Sequence, residues 1–267
     1  MVEVKDIKIR RYLEFDKFLK TLKNGLFIPK ASLLNDRWEA MVYHMHDYLK
    51  ERNTAKLLKE QIPTLDDSCI PGIYNSISKG KKEVYVSCWS GTDYECVAMW
   101  KLYGGTPYSV MIETNANELI DAFKDFNSTE NNEWLACFKD LKYIIPGDDG
   151  EDNKFKGKEP LWDNGFKGIF SETFLFHNVY TGLQYKHKSY SFENEYRLLV
   201  AHKNRGERQN DGIILPIKKT FIKKVILSPQ SSDIFKDSVI DSLRKYNFDN
   251  VMVENSILSE LPQYKVD

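Results

Sequence analysis

The spacing of hydrophobic residues along the chain predicts many short strands and a smaller number of helices. Residues 7–13 alternate between apolar and polar side chains, which is typical of a strand. Phe15, Phe18 and Leu22 then recur at helical spacing, and Gly25 ends the predicted helix. The chain therefore begins with a strand followed by an amphipathic helix.

The same patterns continue to the end of the chain. Strands are predicted over residues 26–29, 83–90, 108–113, 139–145, 195–201, 212–216, 221–227 and 251–254, with 212–216 as the return strand of a hairpin, and helices over 37–59, 95–103, 115–126 and 231–246. Helices and strands do not alternate strictly, so we predict an α+β fold with a mixed or antiparallel sheet core. One domain is expected over residues 1–267, with a polar, glycine-rich surface loop at 147–159.

Composition limits the classes of protein to consider. Hydrophobic residues are 42% and charged residues 29% of the chain, which is typical of a globular protein and argues against disorder. The net charge of -1 neither requires nor excludes nucleic-acid binding. The sequence shows no signal peptide, and no apolar run reaches the roughly 18 residues that a membrane span needs. We therefore expect no membrane association and a cytoplasmic location.

Several common cofactor motifs are absent from the sequence. The four cysteines show no C-x-x-C spacing, and there is no glycine-rich nucleotide-binding signature. His44 and His46 lie two residues apart on a predicted helix, so they point in different directions and would not readily chelate one metal ion. We expect no bound metal.

A charged stripe marks the strand predicted at 195–201. Glu193, Glu195 and Arg197 alternate in sequence, so on a strand they would share one face. Two carboxylates so close together repel each other unless a cation joins them, and Arg197 is a candidate for that role. The stripe is either a functional site or an ion-paired strand face exposed to solvent.

Polar residues on two earlier strands could complete a site. Ser87 and Ser90 flank Trp89 at a strand end, where hydroxyls could bind a ligand beside an indole ring, although a strand ending in a turn would look the same. Arg11 follows Arg10 in the first strand, so one of the two guanidinium groups must point inward. A phosphate, a carboxylate ligand or Glu195 would satisfy it. We predict one functional site from Arg11, residues 87–90 and residues 193–197.

The order of these motifs resembles a bacterial family known only as domain of unknown function 2971. The motifs that carry the resemblance are Arg10-Arg11-Tyr12, Asn35-Asp36-Arg37-Trp38-Glu39, Ser87-Cys88-Trp89-Ser90, Ala98-Met99-Trp100-Lys101-Leu102-Tyr103 and Tyr190-Ser191-Phe192-Glu193-Asn194-Glu195-Tyr196-Arg197. Arg37 and Trp38 stand where that family has proline and phenylalanine. The resemblance supplies no activity.

A second resemblance does suggest an activity. An arginine on the first strand, a serine motif on a later strand and a Glu-x-Glu motif on another resemble the R-S-E class of ADP-ribosyltransferases. The resemblance implies that Arg11 holds NAD, that Ser87 orders the site and that Glu195 is the catalytic glutamate, with Glu193 positioning the acceptor. Ser90 and Arg197 would join the cofactor-binding residues, and Trp89 or Tyr103 would stack on nicotinamide.

Three functions follow as hypotheses. The first is NAD-dependent ADP-ribosyl transfer to a protein or nucleic-acid acceptor, or NAD hydrolysis, with no metal requirement. The second is a non-catalytic module of a bacterial defence or stress system that binds a nucleotide or a nucleic acid. The third is a metal-dependent nuclease in which Asp36, Glu193 and Glu195 supply carboxylate ligands.

Overall fold

The computed structural model describes residues 7–34, 68, 82–144, 183–204 and 209–259. The strands in these ranges are β1 (Lys8–Glu14), β2 (Leu26–Pro29), β3 (Val84–Ser90), β4 (Ser109–Asn115), β5 (Trp134–Asp140), β6 (Lys142–Ile144), β7 (Tyr185–His187), β8 (Glu195–His202), β9 (Gly212–Leu215), β10 (Lys224–Leu227) and β11 (Met252–Glu254). The helices are α1 (Phe15–Asn24), α2 (Val97–Met99, continued by a π-helix over Trp100–Gly104), α3 (Ala116–Thr129) and α4 (Asp233–Lys245). Short 3-10 helices cover Ala31–Leu33, Lys188–Glu193 and Ile257–Ser259.

Seven of the strands form one mixed sheet. Its order is β11-β10-β4-β1-β3-β8-β5, and every neighbouring pair is antiparallel except β10 and β11, which are parallel. Helix α4 connects that parallel pair, as a crossover between parallel strands requires. The predicted α+β class and its mixed sheet are confirmed. No helix in the described ranges is long and apolar enough to cross a membrane.

The main core lies on one face of this sheet, which we call the helical face. Alternate residues of five strands point to this face. They include Ile9 and Leu13 of β1, together with residues of β3, β4, β8 and β10. Buried residues of the three longer helices cover them, and these are Phe18, Leu22, Leu119, Ala122, Phe235, Val239 and Leu243. The amphipathic stripes of α1, α3 and α4 are thus explained by burial against the helical face.

Two smaller apolar clusters lie on the opposite face. Tyr12 and Met111 pack there against Met99 and Trp100 of α2, and the Tyr12 and Trp100 rings meet edge to face at 4.8 Å. Val84, Val86, Leu199 and Ala201 form the second cluster with Leu183. Between these clusters the sheet carries charged residues, so we call this side the carboxylate face.

The structure corrects two strand predictions. Residues 212–216 were expected to return from β8 as a hairpin, but β9 pairs with β2 instead. That pairing places Leu26, Ile28, Ile213 and Leu215 together in the main core. A separate strand, β5, covers Trp134–Asp140 at the sheet edge, whereas the sequence predicted a strand only from residue 139 onward, because the apolar residues of β5 do not alternate.

Other predictions fall outside the described residues. The helix predicted at 37–59 and the surface loop predicted at 147–159 both lie in such ranges. The helix predicted at 95–103 is confirmed from Val97 onward, where α2 passes into the π-helix and ends at Gly105 with a φ of 56°.

Gly25 lies at the junction between α1 and β2, and replacing it tests whether that junction requires glycine. Its φ of 105° disfavours a side chain, and an added Cβ would lie 2.3 Å from the carbonyl oxygen of Leu215 on β9. We expect Gly25→Ala to lower the free energy of unfolding by at least about 2 kcal/mol in urea titrations. Gly105→Ala is the matched control, because Gly105 also has a positive φ but has open space around it, and we expect it to cost about 1 kcal/mol. Equal losses in the two variants would contradict this account of Gly25.

Candidate functional site

Three polar residues lie in one row across the centre of the sheet. Arg10 of β1 is the register partner of Ser90 on β3, and Ser90 is the register partner of Glu195 on β8. Directly opposed residues on paired strands project to the same face. Arg10, Ser90 and Glu195 therefore share the carboxylate face, on three neighbouring strands.

Arg11 lies on the other side of the sheet. Its Nη1 is 3.4 Å from Ser87 Oγ, and its guanidinium carbon is 5.8 Å from the centroid of the Trp89 ring. Trp89 Nε1 donates to the same Ser87 oxygen at 2.9 Å. Because strand residues alternate between faces, Arg11, Ser87 and Trp89 form a cluster on the helical face, behind the row that contains Glu195.

The sheet thus divides the residues that the sequence grouped in one site. Five of these residues are on the carboxylate face, namely Glu193, Glu195, Arg197, Ser90 and Tyr103. Arg11, Ser87 and Trp89 are not brought together with them. Trp89 is 1% exposed within the main core, so of the two aromatic rings expected to stack on nicotinamide, Tyr103 is the one beside the carboxylates.

Four charged side chains form a buried network on the carboxylate face. Lys186 Nζ lies 2.6 Å from Glu193 Oε2 and 3.4 Å from Glu195 Oε2. The Arg197 guanidinium donates to both Glu195 oxygens, at 2.7 Å and 3.1 Å, and to the carbonyl oxygen of Leu183 at 2.9 Å. All four residues are buried. The expected pairing of Arg197 with a carboxylate is confirmed, and the alternative of a solvent-exposed strand face is wrong.

The two glutamates have different electrostatic environments. Burial acts to raise the pKa of Glu195, but Arg197 and Lys186 outweigh it and hold that pKa at about 2. For Glu193, burial raises the pKa above its ordinary value, and Lys186 and Tyr103 offset this only in part. Glu195 is therefore a fixed carboxylate at neutral pH, whereas Glu193 takes up a proton more readily.

Two tyrosines connect this network to its surroundings. Tyr103, at the end of α2, donates to Glu193 Oε1 at 2.6 Å while 44% of the residue stays exposed. Tyr143 of β6 accepts from the backbone N–H of Glu195 at 2.8 Å. Burial raises the pKa of both hydroxyls, so both remain protonated at neutral pH. Of the two tyrosines, Tyr103 is the more exposed to solvent.

Ser90 fixes the backbone that carries the two glutamates. Its hydroxyl donates to the carbonyl oxygen of Glu193 at 2.8 Å, and the N–H of Gly91 donates to the carbonyl oxygen of Asn194 at 2.8 Å. Asn194 adopts a φ of 42°, between the 3-10 turn that ends at Glu193 and the start of β8. This turn, rather than simple strand alternation, brings both carboxylates to Lys186.

Arg10 retains unused hydrogen-bonding capacity. Its Nε donates to Glu113 Oε2 at 3.0 Å, but its buried Nη1 has no hydrogen-bond partner among the described residues. A buried donor without a partner costs free energy that a bound acceptor would recover. Arg10 is thus the arginine that shares a face with Glu195 and has a donor to offer.

Sequence reasoning missed Arg10 and Lys186. The Arg10-Arg11 pair does carry a signal, because adjacent strand residues place one guanidinium on each face, but the choice between them depends on register. Lys186 shows no such signal, since it reaches the glutamates through the parallel pairing of β6 and β7. The motif at 35–39 lies outside the described residues.

One comparison with known proteins gives a match. A family model described as "Protein of unknown function (DUF2971)" matches residues 99–198. The matched segment contains the motif at 190–197 and most of the motif at 98–103, whereas the earlier motifs precede it. No curated protein and no solved structure matches the chain. The comparison supports the resemblance to this family and supplies no activity.

The network predicts a specific dependence of stability on pH. The pKa of Glu195 is about 2 in the fold against an ordinary value of 4.5, so its stabilising effect is complete above pH 4.5 and is lost as the pH falls toward 2. We expect Glu195 to account for a loss on the order of 2 to 3 kcal/mol across that window in urea titrations.

Glu195→Gln should remove this part of the pH dependence and lower stability at neutral pH by about 3 to 5 kcal/mol, because Arg197 and Lys186 lose a partner. Glu254→Gln is the control, since Glu254 forms a partly exposed pair with Lys224 and should leave the acid loss in place. An unchanged acid transition in Glu195→Gln would show that Glu195 is not held by the network.

Proposed function

We propose that this protein transfers ADP-ribose from NAD to an acceptor, or hydrolyses NAD, on the carboxylate face of the sheet. The observation that carries the proposal is the row of Arg10, Ser90 and Glu195 across three neighbouring strands. It reproduces the order of the R-S-E class with Arg10 in place of Arg11 and Ser90 in place of Ser87. The catalytic glutamate remains Glu195.

The chemistry suits a carboxylate that stays ionised. Transfer breaks the bond between C1′ of the ribose and the nicotinamide nitrogen, and the electron pair of that bond leaves with nicotinamide, which becomes neutral. No general acid is needed for this departure. Glu195 would stabilise the positive charge that develops on the ribose, and its low pKa keeps it charged at neutral pH. Arg10 would bind a phosphate of the substrate through Nη1, which has no hydrogen-bond partner among the described residues.

Ser90 and Glu193 would have positioning roles. Ser90 holds the carbonyl oxygen of Glu193, as the serine of the class is expected to order the site. The acceptor forms a new bond to C1′ and loses a proton, which Glu193 would take because its pKa is raised. Tyr103 connects Glu193 to solvent and is placed to contact nicotinamide or the acceptor.

Lys186 must move for the substrate to reach Glu195. Its ammonium group lies against both carboxylates, where the positive charge of the reacting ribose would develop. The ligand-free network therefore holds a cation in the position proposed for the cationic transition state. Displacement of Lys186 is part of the proposal, and it explains how two adjacent glutamates stay buried before NAD binds.

A non-catalytic binding module is the second candidate. The observation that favours it is the mutual pairing of all four charges in the network, which requires no substrate. For the nuclease hypothesis, the described ranges contain no group of three side chains that could hold a metal ion, and Asp36 lies outside them.

The decisive assay is release of nicotinamide from NAD, with cell lysate as a source of acceptor. We expect release by the wild type with and without chelator, and a loss of about 100-fold or more in Glu195→Gln. Arg10→Lys should raise the KM for NAD about tenfold or more, because an ammonium replaces a planar guanidinium. Glu254→Gln serves as the matched surface control with full activity.

Other outcomes would redirect the assignment. An absence of release by folded wild type under all these conditions would support the binding module. Release that survives Glu195→Gln would remove Glu195 from catalysis, and release abolished by chelator would favour metal-dependent chemistry.

A further inference from the structure

Arg11 is a cation on the helical face, and it has no carboxylate partner in the part of the chain that the structure describes. Among the described residues, its hydrogen-bond acceptor is Ser87 Oγ, at the long distance of 3.4 Å. By contrast, Arg10, one residue earlier, pairs with Glu113 at 3.0 Å. Burial lowers the pKa of Arg11 from its ordinary value. An unpaired charge in this position is costly unless something binds it.

The residues around Arg11 are rich in donors and poor in acceptors. Ser87 Oγ accepts from Trp89 Nε1 at 2.9 Å and from Arg11, and its own proton has no acceptor among the described residues. Ser87 is fully buried. Within the described ranges, a guanidinium with several N–H groups that make no hydrogen bond therefore lies beside a hydroxyl that can still donate. These donors suit an oxyanion, because an oxyanion only accepts hydrogen bonds.

The environment strengthens such an interaction. Ile9 and Leu13 flank Arg11 on β1, and Trp89 lies opposite, all of them buried in the main core. Arg11 itself keeps partial solvent exposure. In apolar surroundings an ion pair or charge-assisted hydrogen bond is stronger than in water.

We propose that Arg11 and Ser87 form a second binding site, for a single phosphate or carboxylate group of a small molecule, on the helical face. The site is separated from the row of Arg10, Ser90 and Glu195 by the sheet itself. Its ligand would place one oxyanion against the guanidinium and the Ser87 hydroxyl. The proposal is independent of NAD turnover on the opposite face.

Two arginines provide a matched pair of variants, Arg11 in the proposed site and the exposed Arg244 outside it. Inorganic phosphate and acetate are the probes, each titrated against sodium chloride at equal ionic strength while the Tm of the full chain is followed. We expect phosphate, acetate or both to raise the Tm saturably in the wild type, because a ligand of the folded state stabilises it. Arg244→Gln, which changes an exposed arginine outside both proposed sites, should keep this saturable rise. Arg11→Gln should lower the apparent affinity about tenfold or more.

Two further variants keep the test decisive if Arg11→Gln does not fold. Arg11→Lys keeps the charge but loses the planar fork, and Ser87→Ala removes the second donor, so both should weaken the effective probe several-fold. Equal affinity in these variants and the wild type would overturn the proposal. It would also be overturned if neither probe had a specific effect on the wild type, or if the effect disappeared in Arg10→Gln and survived in Arg11→Gln. Failure of nicotinamide release would leave this result unaffected.

Discussion

The antiparallel register of β1, β3 and β8 is the constraint on which the site depends. Arg10, Ser90 and Glu195 are opposed across these strands, so their side chains reach one face, and the neighbouring Arg11 and Trp89 must reach the other. A shift of one residue in the pairing of β1 would exchange the two arginines between faces. The hydrophobic residues of β1 prevent such a shift, because Ile9 and Leu13 would then leave the main core.

The same register requires buried charge to be balanced on the carboxylate face. Two glutamates and two cations meet there, and each cation contacts a carboxylate at 2.7 Å or less. Burying four charges is expensive, and only the completeness of the hydrogen bonding makes it tolerable. The arrangement also separates the two carboxylates chemically, since Glu195 is held as an anion while the pKa of Glu193 is raised. The same network thus accounts for the stability of the turn at Asn194 and for the chemistry proposed for the two glutamates.

Local patterns in the sequence were enough to predict most elements of the fold. The strand at 84–90 and helix α4 follow directly from apolar spacing, as does the α+β class. The partner of β9 could not be predicted, because pairing with β2 or with β8 satisfies the same pattern. For the site, the motifs identified the correct strands, but they did not show which side chains share a face of the sheet. Arg10 and Arg11 are equivalent in sequence, and the register that distinguishes them arises from contacts between distant parts of the chain. Lys186 likewise reaches the site through strand pairing that its own sequence neighbourhood does not reveal.

The location of bound NAD tests this account most directly. We would determine a crystal structure of the Glu195→Gln variant in complex with NAD, since this variant should bind the substrate and turn it over slowly. The account predicts the nicotinamide ribose beside residue 195 on the carboxylate face, a substrate phosphate at Arg10, and Lys186 moved away from Glu193. NAD bound at Arg11 on the helical face, or NAD bound at the carboxylate face with Lys186 still in place, would contradict it.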